Sequence, residues 1–420
     1  MKKSKLKDLA ILMGSGSTPS RTEPSYWDSN DIPWLKTDQL GEYKISNTHE
    51  YISQKAFDEC SLKKYPAGSI AIAMYGEGKT RGSVSLLDST MTTNQACFTF
   101  TVDDKKINNK YVYYYIKQQY DTLRKLSSGV RNNLNADTLK DFEINYPESR
   151  PHQDSIANLL STIDDKIIIN NATITELESL SKTLYDYYFL QFDFPDEKGR
   201  PYKSSGGKME YNAELGREIP TGWKVGKLTN YVSVIDCLHS KKPDYQYEDE
   251  KCYLIQLENL IDSGLIDLSS KYYVTKSDYD KWTSKIEVTE GDILVTNAGR
   301  VGGVYRIPSN CKAGIGRNMT ALHPTKLPAT YIYYYLISKD ADQQIRQNTD
   351  LGTFFKSLNV KGIKLLKIIK PDEHTLKAFV NRANLTRSRI EACHNENRHL
   401  TALRDFLLPL LMNGQVGFKK

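Results

Sequence analysis

The run Ala73-Met74-Tyr75-Gly76-Glu77-Gly78-Lys79-Thr80 comes near a phosphate-binding loop in residue type and spacing, with alanine where the first glycine belongs. Such a loop must open a helix, so that the helix N-terminus faces the phosphates. Here Arg81-Gly82-Ser83-Val84-Ser85-Leu86-Leu87 follows, a strand-like run. A matching stretch, Asn297-Ala298-Gly299-Arg300-Val301-Gly302-Gly303-Val304, has no Gly-Lys-Thr. Both are better read as glycine-rich hairpins that carry a basic residue, and nucleotide hydrolysis is not expected.

Other catalytic chemistry is not in evidence. None of the seven histidines has metal-ligand spacing to a second histidine or acid, and His394 and His399, five apart, read as surface residues. There is no Gly-x-Ser-x-Gly elbow and no Asn/Asp-Pro-Pro-aromatic motif of an adenine methyltransferase. Asp164-Asp165-Lys166 reads as the solvated face of a helix. Cys60, Cys97, Cys237, Cys252, Cys311 and Cys393 form no C-x-x-C pair, which argues against a zinc cluster or redox dithiol and fits a reducing cytoplasm. No catalytic, cofactor-binding or metal residue is therefore expected.

Should the chain bind nucleic acid, some residue types would suit the task. Arg, Lys, Asn and Gln carry the two-pronged groups that match guanine and adenine edges. The candidates are Lys79 and Arg81 on the first glycine hairpin and Arg131-Asn132-Asn133 after Ser128-Gly129. In the second half they are Arg300, Arg317-Asn318 and Lys356. Ser17, Thr18 and Arg21, in a stretch with glycine, suit phosphate contacts through side chains and exposed backbone N–H groups. The tyrosine runs 113–115 and 333–335 read as helix packing in preference to base stacking.

Charge agrees with this chemistry. The net +6 is modest, but it divides into +3 over residues 1–150, −5 over 151–220, +5 over 221–371 and +3 over 372–420. Two basic blocks flank an acidic stretch, as expected where a phosphate backbone is gripped twice. No run of about 18 apolar residues exists to span a membrane. The basic start, Met1 to Lys7, has no apolar signal core, so a cytoplasmic protein is expected.

The elements that must position these groups occur twice. Tyr51-Ile52-Ser53 answers Tyr273-Val274-Thr275, Gly68-Ser69-Ile70 answers Gly291-Asp292-Ile293, and Asn94 answers Asn318. Tyr111-Val112-Tyr113-Tyr114-Tyr115-Ile116 answers Tyr331-Ile332-Tyr333-Tyr334-Tyr335-Leu336, Leu134-Asn135 answers Leu358-Asn359, and Pro147 answers Pro371. The anchors keep their order at offsets of 220–224 residues. Each copy begins with short β-branched and aromatic runs broken by Gly, Asn and Asp, which read as strands, and ends in one long helix.

In the first such helix Ile156, Leu160, Ile163, Ile167, Asn170, Ile174, Leu177, Ser181, Leu184 and Tyr188 alternate at spacings of four and three, a heptad seam. The second has a weaker stripe through Leu376, Phe379, Ala383, Thr386, Ile390, Cys393, Asn397, Leu400, Arg404 and Leu407. Two narrow stripes bury each other by pairing, and an antiparallel pair places one module at each end of a rod of roughly 50 Å. The alternative is that each helix packs on its own domain. Pro195, Gly199, Pro201, Ser204-Ser205-Gly206-Gly207, Pro220 and Gly222 mark a linker. The reading is an α/β chain of two tandem mixed α/β recognition domains separated by two long helices packed as an antiparallel coiled coil. The first domain spans 1–150, the first spacer helix 151–190, the linker 191–222, the second domain 223–371 and the second spacer helix 372–414.

Several stretches resemble one family, the specificity subunits of type I restriction–modification systems. They are Gly14-Ser15-Gly16-Ser17-Thr18-Pro19-Ser20-Arg21, Tyr26-Trp27, Asp31-Ile32-Pro33-Trp34-Leu35, and the central stretch from Phe192 to Trp223. The second copy departs from the opening motif, offering only Ser240-Lys241-Lys242-Pro243. The resemblance implies a non-catalytic subunit that binds a bipartite, asymmetric site on double-stranded DNA, one target recognition domain per half-site. It implies docking to two modification (methyltransferase) subunits, and through them to restriction (translocase/endonuclease) subunits. S-adenosylmethionine, ATP and Mg are then expected on those partners and none on this chain. The competing readings are a coiled-coil adaptor whose two ends bind proteins and a stand-alone nuclease–methyltransferase, which the missing motifs disfavour.

Overall fold

The computed structural model describes every residue except 77, 127–133, 262, 299–300, 348, 352–355, 359 and 419–420. It divides into two compact units, residues 1–169 with 396–420 and residues 170–395. Among the described residues no helix is long and apolar enough to cross a membrane.

In the first unit, buried β-branched and aromatic runs build a five-stranded sheet in the spatial order Ala10–Ser15, Cys97–Val102, Ile70–Ala73, Val84–Leu87, Lys44–Ile45. The first three pairings are antiparallel and the last is parallel. Alternation sorts the two faces: Ile70, Ile72, Phe98 and Phe100 enter one core, while Ala71, Ala73 and Cys97 enter another with Leu35 and Tyr65. Beyond that second core lies a three-stranded sheet of Glu50–Ile52, Ile32–Leu35 and Thr92–Thr93. The helix Asn109–Gln118, capped by the Asn108 side chain, covers the first face and buries all of Tyr111 to Ile116. A helix apolar all round belongs in a core, and its hydroxyls are satisfied: Tyr111 donates to Asn145 O at 3.1 Å and Tyr114 to Asp164 at 2.6 Å. These tyrosines pack, as their residue pattern suggests. Strand Lys2–Lys5 pairs antiparallel with Glu143–Tyr146, closing the domain on itself.

The second unit repeats the plan. Its sheet runs Val232–Asp236, Met319–Pro324, Ile293–Thr296, Val304–Arg306, all antiparallel. A second sheet holds Tyr272–Tyr273, Tyr253–Ile255, Lys312–Ile315 and Val288–Thr289. The helix Ala329–Leu336 is buried from Thr330 to Leu336, and Lys224–Lys227 pairs with Lys367–Lys370.

The stretch expected to be a linker, 191–222, is instead packed into this unit. Phe192, Phe194, Ile219 and the neighbouring Trp223 are core residues. Phe194 stacks on Tyr202 with ring centroids 4.7 Å apart and on Trp223 at 5.1 Å. Met209–Asn212 and Arg217–Pro220 form a hairpin. The prolines and glycines make turns within a folded cap, and the aromatics between them supply its core. The Trp223 indole donates to Asp372, whose carboxylate also accepts from Thr375 N at the start of the second long helix.

The long helices are Arg150–Tyr185, continued by a π turn over Asp186–Leu190, and Glu373–Met412. In the first unit Asp164 pairs with Arg404 at 2.6 Å and Lys166 with Glu396 at 3.3 Å. In the second, Ile174 packs with Ile390 and Cys393, and Arg382 donates to the Tyr188 hydroxyl at 2.8 Å. In each unit rising numbers on one helix meet falling numbers on the other, so the pairing is antiparallel. Ile156, Leu160, Ile163, Asn170, Ile174, Ser181 and Tyr188 of the first seam are buried, as are Leu376, Phe379, Ala383, Ile390 and Cys393 of the second. The weaker stripe is half-buried at Thr386, Asn397, Leu400, Arg404 and Leu407. Asp164-Asp165-Lys166 is no solvated face: Asp164 is 2% exposed and Asp165 holds Lys44 at 2.6 Å. His394 is half-buried with a partner, and only His399 of that pair is a surface residue.

Candidate nucleic-acid interface

Strand direction gathers the first module's polar loops. Ala10–Ser15 ends, Cys97–Val102 begins, Ile70–Ala73 ends and Val84–Leu87 begins at one end of the sheet. The segments 16–20, 94–96 and 74–83 therefore emerge together. Backbone bonds tie them: Gly16 N to Cys97 O at 3.3 Å, Met74 N to Ala96 O at 2.8 Å and Leu134 N to Met74 O at 3.1 Å. Gly16 is required by this closeness, since a Cβ there would stand 1.8 Å from Thr93 O.

Within this cluster the expected residues take different parts. Ser17 N donates to Thr93 O at 3.0 Å and Ser17 O accepts from the Trp34 indole at 3.0 Å, leaving the hydroxyl at the half-buried surface. Thr18 donates to the Gln95 side chain. Arg21 is a strut: its guanidinium lies 3.6 Å from the centre of the Trp27 ring and 2.6 Å from Glu50. Burial pushes the Glu50 carboxyl up, but its bonds to Lys36 and Arg21 outweigh this and hold it below the usual range.

The hairpin 74–83 is braced from behind. Tyr120 donates to Lys79 O at 2.8 Å, and Arg124 donates to Gly78 O at 2.7 Å and to the Tyr120 hydroxyl at 2.9 Å. The Lys79 side chain is exposed, and among the described residues its ammonium has no partner. Arg81 is half-buried and engaged. Arg131, Asn132 and Asn133 lie outside the described residues. The sequence reading missed Tyr120 and Arg124, which brace the hairpin, and the exposed Tyr75 at its start. Their signal was weak, because a basic residue and a tyrosine near a helix end are common.

The second module repeats the convergence. Segments 237–243, 297–298, 301–303 and 316–318 adjoin strand ends at one end of its sheet. Arg317 and Asn318 are both exposed there. Asn318 takes a left-handed φ of 65°, which aims its carbonyl at Asn297 N, 2.8 Å away. Arg300 lies outside the described residues. Lys356 begins the strand Lys356–Leu358, paired with Thr349–Leu351. At the position of the first module's glycine–serine loop stands Asp236-Cys237-Leu238-His239, whose side chains cluster. Among the described residues it is the one group of three or more His, Cys, Asp or Glu side chains spaced to hold a metal ion. Sequence reasoning looked for a second histidine or a helical acid and missed this strand-end spacing.

Each module, taken by itself, offers exposed basic or amide side chains on its loops, the chemistry of groove and phosphate contact. Residues 1–179 match the family model for the type I restriction modification DNA specificity domain. The chain is 27% identical over 424 residues to the type I restriction enzyme MjaIX specificity subunit of Methanocaldococcus jannaschii, spanning 98% of this chain and 92% of that one. Over 185 residues it is 28% identical to the EcoR124I/EcoR124II specificity subunit of Escherichia coli, spanning 43% of this chain and 45% of that one. Its fold is similar to that of the S subunit of the type I restriction-modification system from M. genitalium, with a TM-score of 0.59 at 16% identity, covering 98% of this chain and 95% of that one.

Proposed function

We propose that the chain is a specificity subunit of a type I restriction–modification system, as its matches to that family suggest, and that it reads a bipartite, asymmetric DNA target, one module per half-site. It is a DNA-recognition subunit and not itself an enzyme. The observation that carries the bipartite reading is the repetition of one architecture, each copy presenting polar loops at the same end of its sheet. In the first module Lys79 on its braced hairpin and the Ser17–Thr18 loop face duplex DNA, with Arg21 holding the loop. In the second, Arg317 and Asn318 take that part.

The long helices set the unspecified gap and dock two modification subunits, through which restriction subunits join. S-adenosylmethionine, ATP and Mg belong to those partners, and the assembly works in the cytoplasm. The seam positions are used by the helix pair itself, so docking falls to the outward faces.

The test is to replace Lys79 by alanine and map methylated sites after assembly with the modification subunits. The expected result is altered or relaxed preference in one half of the target, unchanged thermal stability, and a salt slope of DNA affinity reduced by about one. Changes in both halves, or no salt-sensitive binding by the intact chain, would overturn the reading in favour of a protein adaptor.

A further inference from the structure

The modules differ most where the first sheet strand ends, and there the second module carries a cluster with no part in the reading above. Oxygen of Asp236, Sγ of Cys237 and a ring nitrogen of His239 all lie within 4.8 Å of one another. His239 Nε2 is 2.8 Å from Asp236 Oδ2. The other carboxylate oxygen, Asp236 Oδ1, is closed off from solvent and has no hydrogen-bond partner among the described residues. A buried acceptor left so is unfavourable, and a cation satisfies it without any added donor. The backbone beneath is pinned, with Cys237 N donating to Met319 O at 3.3 Å and Cys237 O accepting from Lys285 Nζ at 3.1 Å.

We propose that Asp236, Cys237 and His239 form a binding site for a zinc ion, with the fourth coordination position open. Thiolate, imidazole and carboxylate together are the donor set of zinc, whereas magnesium and calcium prefer oxygen alone. Donors around tetrahedral zinc stand roughly 3.5 Å apart, so the apo cluster must adjust by about 1 Å. His239 can make that adjustment, since its side chain is 71% exposed. On binding, sulfur gives up its proton to solvent and bonds the metal as thiolate.

The placement suggests a use, and this clause alone rests on the DNA reading. The first module presents a glycine–serine loop with the Ser17 hydroxyl at its surface at this end of its sheet, and the second has no such loop. An open coordination position beside Arg317 and Asn318 takes a backbone phosphate oxygen in its stead.

The experiment titrates zinc into the metal-free full-length chain against a chromophoric chelator, without DNA, and repeats it with cobalt(II) to read thiolate-to-metal charge transfer. One equivalent bound with that absorption band is expected. Cys237→Ser should abolish the band, and His239→Ala, at an exposed residue that leaves the fold intact, should weaken zinc affinity by about tenfold or more. No binding, or binding unchanged in either variant, would overturn the site. DNA affinity is then measured with and without zinc. A gain in the intact chain that His239→Ala lacks supports the phosphate contact, and zinc binding with no gain overturns that contact while leaving the site.

Discussion

Replacing Asp164 by alanine tests whether the acid holds the first unit's helix pair. Asp164 is 2% exposed and lies 2.6 Å from Arg404, and it accepts the Tyr114 hydroxyl at 2.6 Å. Removing one partner of a buried pair costs about 3–5 kcal/mol, because the other charge stays desolvated. Arg404 keeps Asp405 at 2.8 Å and is 15% exposed, which places the loss at the lower end, about 3 kcal/mol. In a unit of this size that corresponds to a fall in Tm of roughly 6–12 °C. The assay is a double-mutant cycle of Asp164→Ala, Arg404→Met and both together. Hydrogen exchange of the amides from Tyr111 to Ile116 reports the first unit separately from the second, where a single Tm is not defined. The double variant should recover much of the loss, since no lone charge remains buried. A loss under about 1 kcal/mol for Asp164→Ala, or coupling under about 0.5 kcal/mol, would refute the reasoning.

Three further outcomes are expected. Gly16→Ala should destabilise the first module by about 1–3 kcal/mol and weaken binding to one half-site, because its Cβ would meet Thr93 O at 1.8 Å; thermal unfolding and site mapping read both. Glu50→Gln should lower stability at neutral pH but not in acid. Its folded carboxyl sits below the ordinary range, so the stabilisation is present above the unfolded pKa and disappears as pH falls through the folded one. Urea midpoints of the two proteins at about pH 7 and about pH 3 check this. Phe194→Ala should cost about 3–5 kcal/mol in the second unit through lost stacking on Tyr202 and Trp223, whereas an open linker would lose nothing measurable.

Much of the architecture was legible in the residues. The duplicated tyrosine helices and the four–three spacing from Ile156 to Tyr188 are local patterns, and burial follows them directly. The segment 191–222 misled because Pro and Gly punctuate it at short intervals while Phe192, Phe194 and Ile219 show no period. Asp164 misled because charges beside a heptad seam are usually solvated, and its partner Arg404 is 240 residues away. Within the site, residue type pointed to Lys79 but could not tell that Arg21 is consumed by Trp27 and Glu50. Nor could it show that Asp236, Cys237 and His239 fold onto one another.

The terminal strand pairs of the modules, Lys2–Lys5 with Glu143–Tyr146 and Lys224–Lys227 with Lys367–Lys370, bring the two ends of each insert side by side. Each insert thus leaves and rejoins the chain at one place. On the function proposed above, recombination with break points at these short ribbons would exchange one module, and the incoming core would have to fit the helix residues it packs on, Tyr185, Phe189 and Phe379 in the second unit.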